Sequence, residues 1–158
     1  MLEKFKKLPL RKGVGVVLLN SENKVFVAKR IDNPKNFWQM PQGGVDNNED
    51  FLSAALRELK EETSINKVEL IKELDGMTTY ELPDNLLGII WKGKYRGQKQ
   101  KWFIVRFLGN DNEVNLKKYK PEFIEWQWLE IENLPEVIVE FKREVYKSLV
   151  PKIIATIN

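Results

Sequence analysis

Residues 43–65 read Gly43-Gly44-Val45-Asp46-Asn47-Asn48-Glu49-Asp50, then Phe51-Leu52-Ser53-Ala54-Ala55-Leu56-Arg57-Glu58-Leu59-Lys60-Glu61-Glu62-Thr63, then Ser64-Ile65. Two glycines open a loop, and Asp50 stands where a helix N-cap is preferred. Leu52, Ala55, Leu56 and Leu59 then recur at i, i+3, i+4 and i+7. That spacing predicts a helix over Asp50–Thr63 with those four as its apolar face. On the same helix Glu58 and Glu62 are four apart and Glu61 is three from Glu58, so the three carboxylates leave nearly one side. Like charges at that spacing cost roughly 0.2–0.5 kcal/mol per pair. A cation held between them reverses the sign. The plainer reading is a solvated acidic face, partly screened by Arg57 and Lys60.

The ligand type selects the cation. An all-oxygen, carboxylate-rich set suits magnesium or manganese rather than zinc or copper. Magnesium takes few protein groups and leaves positions for water and substrate phosphate. Such ions bridge a diphosphate, neutralise developing charge and activate a water, so no covalent nucleophile is needed.

Composition narrows the chemistry further. The 158 residues contain no cysteine and no histidine. Disulfides, thiolate metal sites and cysteine nucleophiles are therefore excluded, as are the commonest general base and the commonest transition-metal ligand. Catalysis is left to carboxylates, lysines, tyrosines or a bound hard cation. The length fits one domain with a real core. No apolar run reaches membrane-spanning length, and the basic start of the chain leads into no signal-peptide core, so a cytoplasmic location is expected. The net charge is +3. Its excess is concentrated in Lys4, Lys6, Lys7, Arg11 and Lys12, and in Lys92, Lys94, Arg96, Lys99 and Lys101. Such clusters suit a polyanion, although solvated surface lysines would look the same.

Outside the helix, Gly13–Asn20 and Lys24–Lys29 read as a hairpin around Ser21-Glu22-Asn23. Asn33–Val45 reads as one long loop. Strands are expected over Val68–Leu74, Thr78–Leu82, Trp102–Leu108 and Glu125–Leu129. A last helix should start at Leu134-Pro135, carry Val137, Phe141, Val145 and Leu149 along one side, and end or kink at Pro151. Strands alternating with two helices predict a mixed sheet packed between helices. Trp38, Trp102, Trp126 and Trp128 read as core or sheet-packing residues, Trp128 most clearly.

The pattern of residues 43–65 resembles the Nudix box, Gly-x5-Glu-x7-Arg-Glu-U-x-Glu-Glu-x-Gly-U, where U is a bulky apolar residue. Ser64 stands where that family has glycine, at a helix end where serine should cost about 1 kcal/mol. Chance would give such a match on the order of once in a million chains of this length. The resemblance implies an α/β/α sandwich with a central mixed sheet, spanning 1–158 as a single domain. It also implies that Glu58, Glu61 and Glu62 bind Mg2+ or Mn2+, that Gly43 adds a carbonyl ligand, and that Arg57 orients a catalytic glutamate. Glu49 would support the box through that ion pair.

Phe37-Trp38-Gln39-Met40-Pro41-Gln42-Gly43-Gly44, Gly97-Gln98-Lys99-Gln100-Lys101-Trp102-Phe103, Pro121-Glu122-Phe123 and Phe141-Lys142-Arg143-Glu144-Val145-Tyr146 are similar to one branch of that family, the bacterial RNA pyrophosphohydrolases and dinucleoside polyphosphate hydrolases. That likeness implies Glu122 as a further metal ligand or general base. Arg11, Lys29, Gln42, Tyr80, Phe141 and Lys142 are the expected substrate contacts, with Phe141 and Lys29 on opposite faces of a base. The implied reaction removes pyrophosphate from the 5′-triphosphate end of RNA, leaving a monophosphate and triggering decay. Diadenosine polyphosphate hydrolysis is the near alternative, and a silent nucleotide- or RNA-binding module the more distant one. A monomer is expected.

Overall fold

The computed structural model describes residues 2–32 and 35–158. Its centre is β1 (Leu10–Leu19), paired in parallel with β6 (Gly97–Phe107) from Leu10↔Gly97 to Leu19↔Arg106. On β1, Val14, Val16 and Leu18 pack on one face and Val17 and Leu19 on the other, all fully buried. A strand apolar on both sides needs cover on both sides.

That cover comes from helices. α1 (Phe51–Thr63) lies over the Val14, Val16, Leu18 and Phe26 face. α2 (Leu134–Val137) and α3 (Arg143–Ile157) lie over the opposite face. The sheet is mixed, in the order β4-β6-β1-β2-β7. Here β2 is Val25–Arg30, β4 is Val68–Glu73 and β7 is Phe123–Leu129. Two short strands flank this path: β3 (Gln42–Gly44) pairs with β1, and β5 (Thr78–Glu81) pairs with β6. The expected α/β/α sandwich is what forms. Among the described residues no helix is long and apolar enough to cross a membrane.

The β1–β2 hairpin opens soon after its turn. The two strands are paired at Leu19↔Val25, and residues 39–44 then wedge between them. Gln39 bridges Ala28 on β2, Pro41 accepts from the Val16 amide at 2.9 Å, and β3 pairs with Gly13–Gly15. The expected long loop is therefore partly strand; its Asn33 and Pro34 lie outside the described residues. This wedge carries Gln42 and Gly43 to the middle of the molecule, beside α1.

Four other expectations change. First, β1 and β6 begin earlier than their apolar runs, because Gln98 and Gln100 are buried and hydrogen-bonded rather than solvated. Second, the buried face of α1 is Ala54, Ala55, Leu59, Glu62 and Thr63, while Leu56 is 37% exposed. Third, the last helix is broken. Residues 138–142 interrupt it, Phe141 sits in the break, and α3 runs through Pro151 to Ile157 because Ile153 is still buried beside Leu149 and Tyr146. Fourth, Trp102, not Trp128, is the core tryptophan. Trp102 is 1% exposed and packs over Gly15, whose missing Cβ leaves room for the ring, whereas the Trp128 indole reaches Asp111 at the surface.

Asp50 caps α1 by accepting from the Ser53 amide at 2.7 Å. At the other end Ser64 adopts the left-handed conformation, φ 70°, that glycine would take. Its hydroxyl donates to the Asn115 carbonyl at 2.7 Å, which offsets part of the conformational cost.

Candidate active site

Arg57 is the hub of α1. Its Nε donates to Glu49 Oε2 at 2.7 Å, and its Nη2 donates to Glu49 Oε1 and the Gly44 carbonyl, each at 2.9 Å. Its Nη1 meets Glu58 Oε1 at 2.7 Å and Glu61 at 3.4 Å. The Arg57 guanidinium, helped by the Asp46 amide, holds the Glu49 carboxyl down at about 2. A bidentate pair of this kind fixes the loop 44–49 against the helix.

Glu62 is the anomaly. It is 1% exposed, and neither carboxylate oxygen makes a full hydrogen bond among the described residues, the Gln42 backbone amide approaching only near enough to offset a little of the burial. Burial pushes its pKa well above the usual range, and the charges of Glu122 and Glu58 push it further. Burial likewise raises Glu58, although Arg57 opposes it. Glu122 reaches this group from the segment before β7, where its carbonyl accepts from the Ile31 amide at 2.8 Å. Glu61 points to a smaller neighbouring cleft and pairs with Lys120 at 3.1 Å. Among the described residues no three carboxylates converge tightly enough to hold an ion as they stand. The Arg57 bonds explain this, since they draw Glu58 and Glu61 toward the guanidinium.

Glu58 and Glu122 line a cavity of about 790 Å³. Arg11, Arg30 and Lys142 supply its positive wall. Arg11 Nη1 donates to Gln98 Oε1 at 2.9 Å, and Gln98 Nε2 donates to the Tyr80 hydroxyl at 2.8 Å. Gln100 Nε2 donates to Gln42 Oε1, also at 2.8 Å. Two buried glutamines thus hold three of the expected substrate contacts in place. Tyr80 and Phe141 pack with ring centroids 5.7 Å apart, and the Lys142 ammonium lies 5.2 Å over the Tyr80 ring. Burial pushes Tyr80 up to about 12. It pushes Lys142 down to about 8, with the charges of Arg30 and Arg11 adding to the effect.

The structure brings Arg11, Gln42, Gly43, Tyr80, Phe141 and Lys142 together around this cavity. Lys29 does not line it. Its ammonium is tied to Glu125 and Asn36, each at 3.1 Å, and sits over Trp38. The next residue, Arg30, takes the wall position, held by Asp32 at 2.8 Å. Spacing in the sequence could not choose between these neighbours, because the pairing of β2 with β7 shifts register between them. Trp91, stacked on the Arg11 guanidinium at 5.2 Å, and Gln39, whose buried Nε2 has no partner among the described residues, also belong to the site without any signal in the sequence. The period-two polar run Gln98-Lys99-Gln100-Lys101 was the signal available for the glutamines.

A divalent cation fits this arrangement. A buried carboxylate without a donor is costly, and an adjacent cation supplies what is missing. The Glu122 carboxylate adds to the raised pKa of both Glu58 and Glu62, and Glu58 adds to that of Glu62, the signature of acidic groups gathered without enough positive charge.

The NUDIX domain pattern matches residues 9–149. The RNA pyrophosphohydrolase of Pelagibacter ubique is 67% identical over 151 residues, covering 96% of each chain. That of Novosphingobium aromaticivorans is 49% identical over 154 residues, covering 95% of this chain and 96% of its own. Among solved structures, the Escherichia coli dihydroneopterin triphosphate pyrophosphohydrolase aligns with a TM-score of 0.70 at 23% identity, over 92% of this chain and 99% of that one. A Caenorhabditis elegans Ap4A hydrolase complex aligns at 0.66 and 22% identity, over 92% and 97%. At that identity the structural likeness speaks to the fold alone.

Proposed function

The chain belongs to the NUDIX domain family, and from that premise we propose that it is an RNA pyrophosphohydrolase, cleaving the 5′-triphosphate of RNA to a monophosphate and releasing pyrophosphate. The observation that carries the reading is Glu62, a buried carboxylate with no full hydrogen bond among the described residues, behind a cavity walled by arginines and a lysine. The Pelagibacter ubique and Novosphingobium aromaticivorans relatives are RNA pyrophosphohydrolases, and the likeness covers nearly their whole length.

In this reading Glu58, Glu61, Glu62 and Glu122 with the Gly43 carbonyl would hold Mg2+ or Mn2+. Such a cation would supply neutralisation of phosphate charge and a more acidic water. Arg57 positions Glu58 and Glu61 and fixes the loop through Glu49. Arg11, Arg30 and Lys142 bind phosphate oxygens, with Trp91 and Gln98 orienting Arg11. Tyr80 and Phe141 offer an aromatic surface to a base. Glu122 takes the proton as water attacks phosphorus, and the anhydride P–O bond breaks with its electron pair leaving on the pyrophosphate. The enzyme acts as a monomer in the cytoplasm.

The deciding experiment incubates the protein with 5′-triphosphorylated RNA or diadenosine tetraphosphate, each with magnesium, with manganese and with chelator. Pyrophosphate release from RNA, faster than turnover of the dinucleotide and abolished by chelator, is expected. Turnover of the dinucleotide alone would assign the site to the alternative substrate.

Lys142 offers a second check. Phosphate oxygens beside its ammonium should restore the pKa that burial has lowered to about 8. Binding a non-hydrolysable triphosphate analogue at pH about 8.5 should therefore take up a proton. Calorimetry in buffers of different ionisation enthalpy reads that uptake. It should vanish in Lys142→Arg, because guanidinium stays charged throughout.

A further inference from the structure

Parts of the two basic clusters of the sequence are brought together by the contact of the N-terminal segment with residues 88–96. The chain begins with a 3-10 turn over Leu2–Lys7. The Phe5 ring of that turn packs on Gly88, so closely that a Cβ there would lie 2.9 Å from it. Just beyond, the Arg96 amide donates to the Pro9 carbonyl at 3.1 Å and its guanidinium to the Leu8 carbonyl at 2.5 Å. Glu81 anchors the same arginine at 2.8 Å. The N-terminal arm is thereby fastened along the 83–96 segment.

That segment is shaped for presentation. Trp91, Lys92 and Gly93 are consecutively left-handed, with φ of 52°, 57° and 69°. A tryptophan and a lysine adopt such angles at a cost of roughly 1 kcal/mol or more each. The turn puts Trp91 at the cavity, stacked on Arg11, while Lys92 and Lys94 are exposed. In the 3-10 turn Lys4 and Lys7 are three apart and eclipse each other on one side. Lys6 is paired with Glu3, but Lys4, Lys7, Lys92 and Lys94 form no ion pair among the described residues. Four exposed ammonium groups without an ion pair, Lys4 resting over the Phe5 ring, thus lie on two segments bolted together, one of which also supplies Trp91 to the cavity.

We propose that this ridge, Lys4 and Lys7 on the arm with Lys92 and Lys94 on the loop, binds the phosphates of single-stranded RNA downstream of the nucleotides seated in the cavity. The proposal rests on the RNA reading above. The ridge carries no sequence information, since ammonium groups read the backbone. It gives the enzyme a means of favouring a long RNA over a dinucleoside polyphosphate, which ends before reaching it.

The test is Lys4→Gln, Lys7→Gln, Lys92→Gln and Lys94→Gln combined, compared with the unaltered protein on three substrates. These are a triphosphorylated 12-nucleotide RNA, a triphosphorylated dinucleotide and diadenosine tetraphosphate. For the 12-mer, KM should rise roughly tenfold at low salt, and the slope of log KM against log salt should flatten by about 3, near 0.7 per lost contact. Values of kcat, and KM for both short substrates, should stay within about twofold. Equal effects on long and short substrates, or an unchanged salt slope on the 12-mer, would overturn the proposal. Failure of the unaltered protein to act on any triphosphorylated RNA would instead overturn the reading beneath it.

Discussion

Glu62→Gln is expected to lower kcat by at least about a hundredfold, the usual cost of removing a group that stabilises charge at the reacting centre. The same substitution should stabilise the metal-free protein as pH rises. The Glu62 carboxyl is raised well above its ordinary 4.5 in the folded chain, first by burial and then by Glu122 and Glu58. The unfolded chain therefore loses that proton at lower pH than the folded one. Between 4.5 and the higher folded value the folded state binds more protons, so this group's contribution makes stability fall as pH rises. Glutamine has no proton to lose, so the difference in Tm between variant and parent should grow across that window. Adding magnesium or manganese should reverse the order: the parent gains stability by ligand linkage and the variant gains much less. Loss of activity with retained, metal-responsive stability would place Glu62 outside the cation site. Full activity would remove the metal assignment of the whole helix.

What the sequence made legible was local. The α1 cap and its end at Ser64 follow from neighbours within one loop and one helix, and the Arg57–Glu49 pair was implied by the resemblance of that same stretch. The sandwich was legible from strands alternating with two helices and from the family resemblance, and β1, apolar on both faces, is what the two covering layers bury. The wedge of residues 39–44 between β1 and β2 was not legible, because the turn at Asn20–Lys24 looks the same whether the hairpin stays closed or opens. Lys29 and Arg30 were confused for a similar reason: a register shift in a strand pair sets which one faces the cavity, and a register is a property of two strands. Trp102 was passed over as the core tryptophan because its place depends on Gly15, on a strand far away in sequence. The break at 138–142 follows an apolar spacing that continues unbroken through it. Phe141 keeps the helical interval to Val145, yet turns to Tyr80 instead.

Gly43→Ala is the second substitution expected to have a large effect, and it acts without touching charge. Gly43 faces Glu58 across the gap between β3 and α1; a Cβ added there would lie 2.1 Å from the Glu58 Cδ and from its Oε2. The backbone at Gly43 is not left-handed, so the obstacle is space alone. Glu58 must move, and it is tied to Arg57 Nη1 at 2.7 Å, which is tied in turn to Glu49. The methyl group therefore displaces a cavity-lining carboxylate and loads the hub that positions it. A displacement near 1 Å at a reacting centre costs on the order of a hundredfold in rate, and kcat should fall by about that much. The concentration of magnesium needed for half-maximal activity should rise, because the displaced carboxylate holds the cation less well. Gly15→Ala separates this effect from general damage. Its methyl would meet the buried Trp102 ring at 2.4 Å, on the sheet face opposite α1 and its carboxylates. It should lower Tm with little change in the metal requirement of whatever protein remains folded. Gly43→Ala should do the converse, losing rate and metal affinity at nearly unchanged Tm. An alanine at position 43 that leaves both rate and metal requirement intact would mean that Glu58 works from another rotamer, and that the close approach of β3 to α1 serves packing alone.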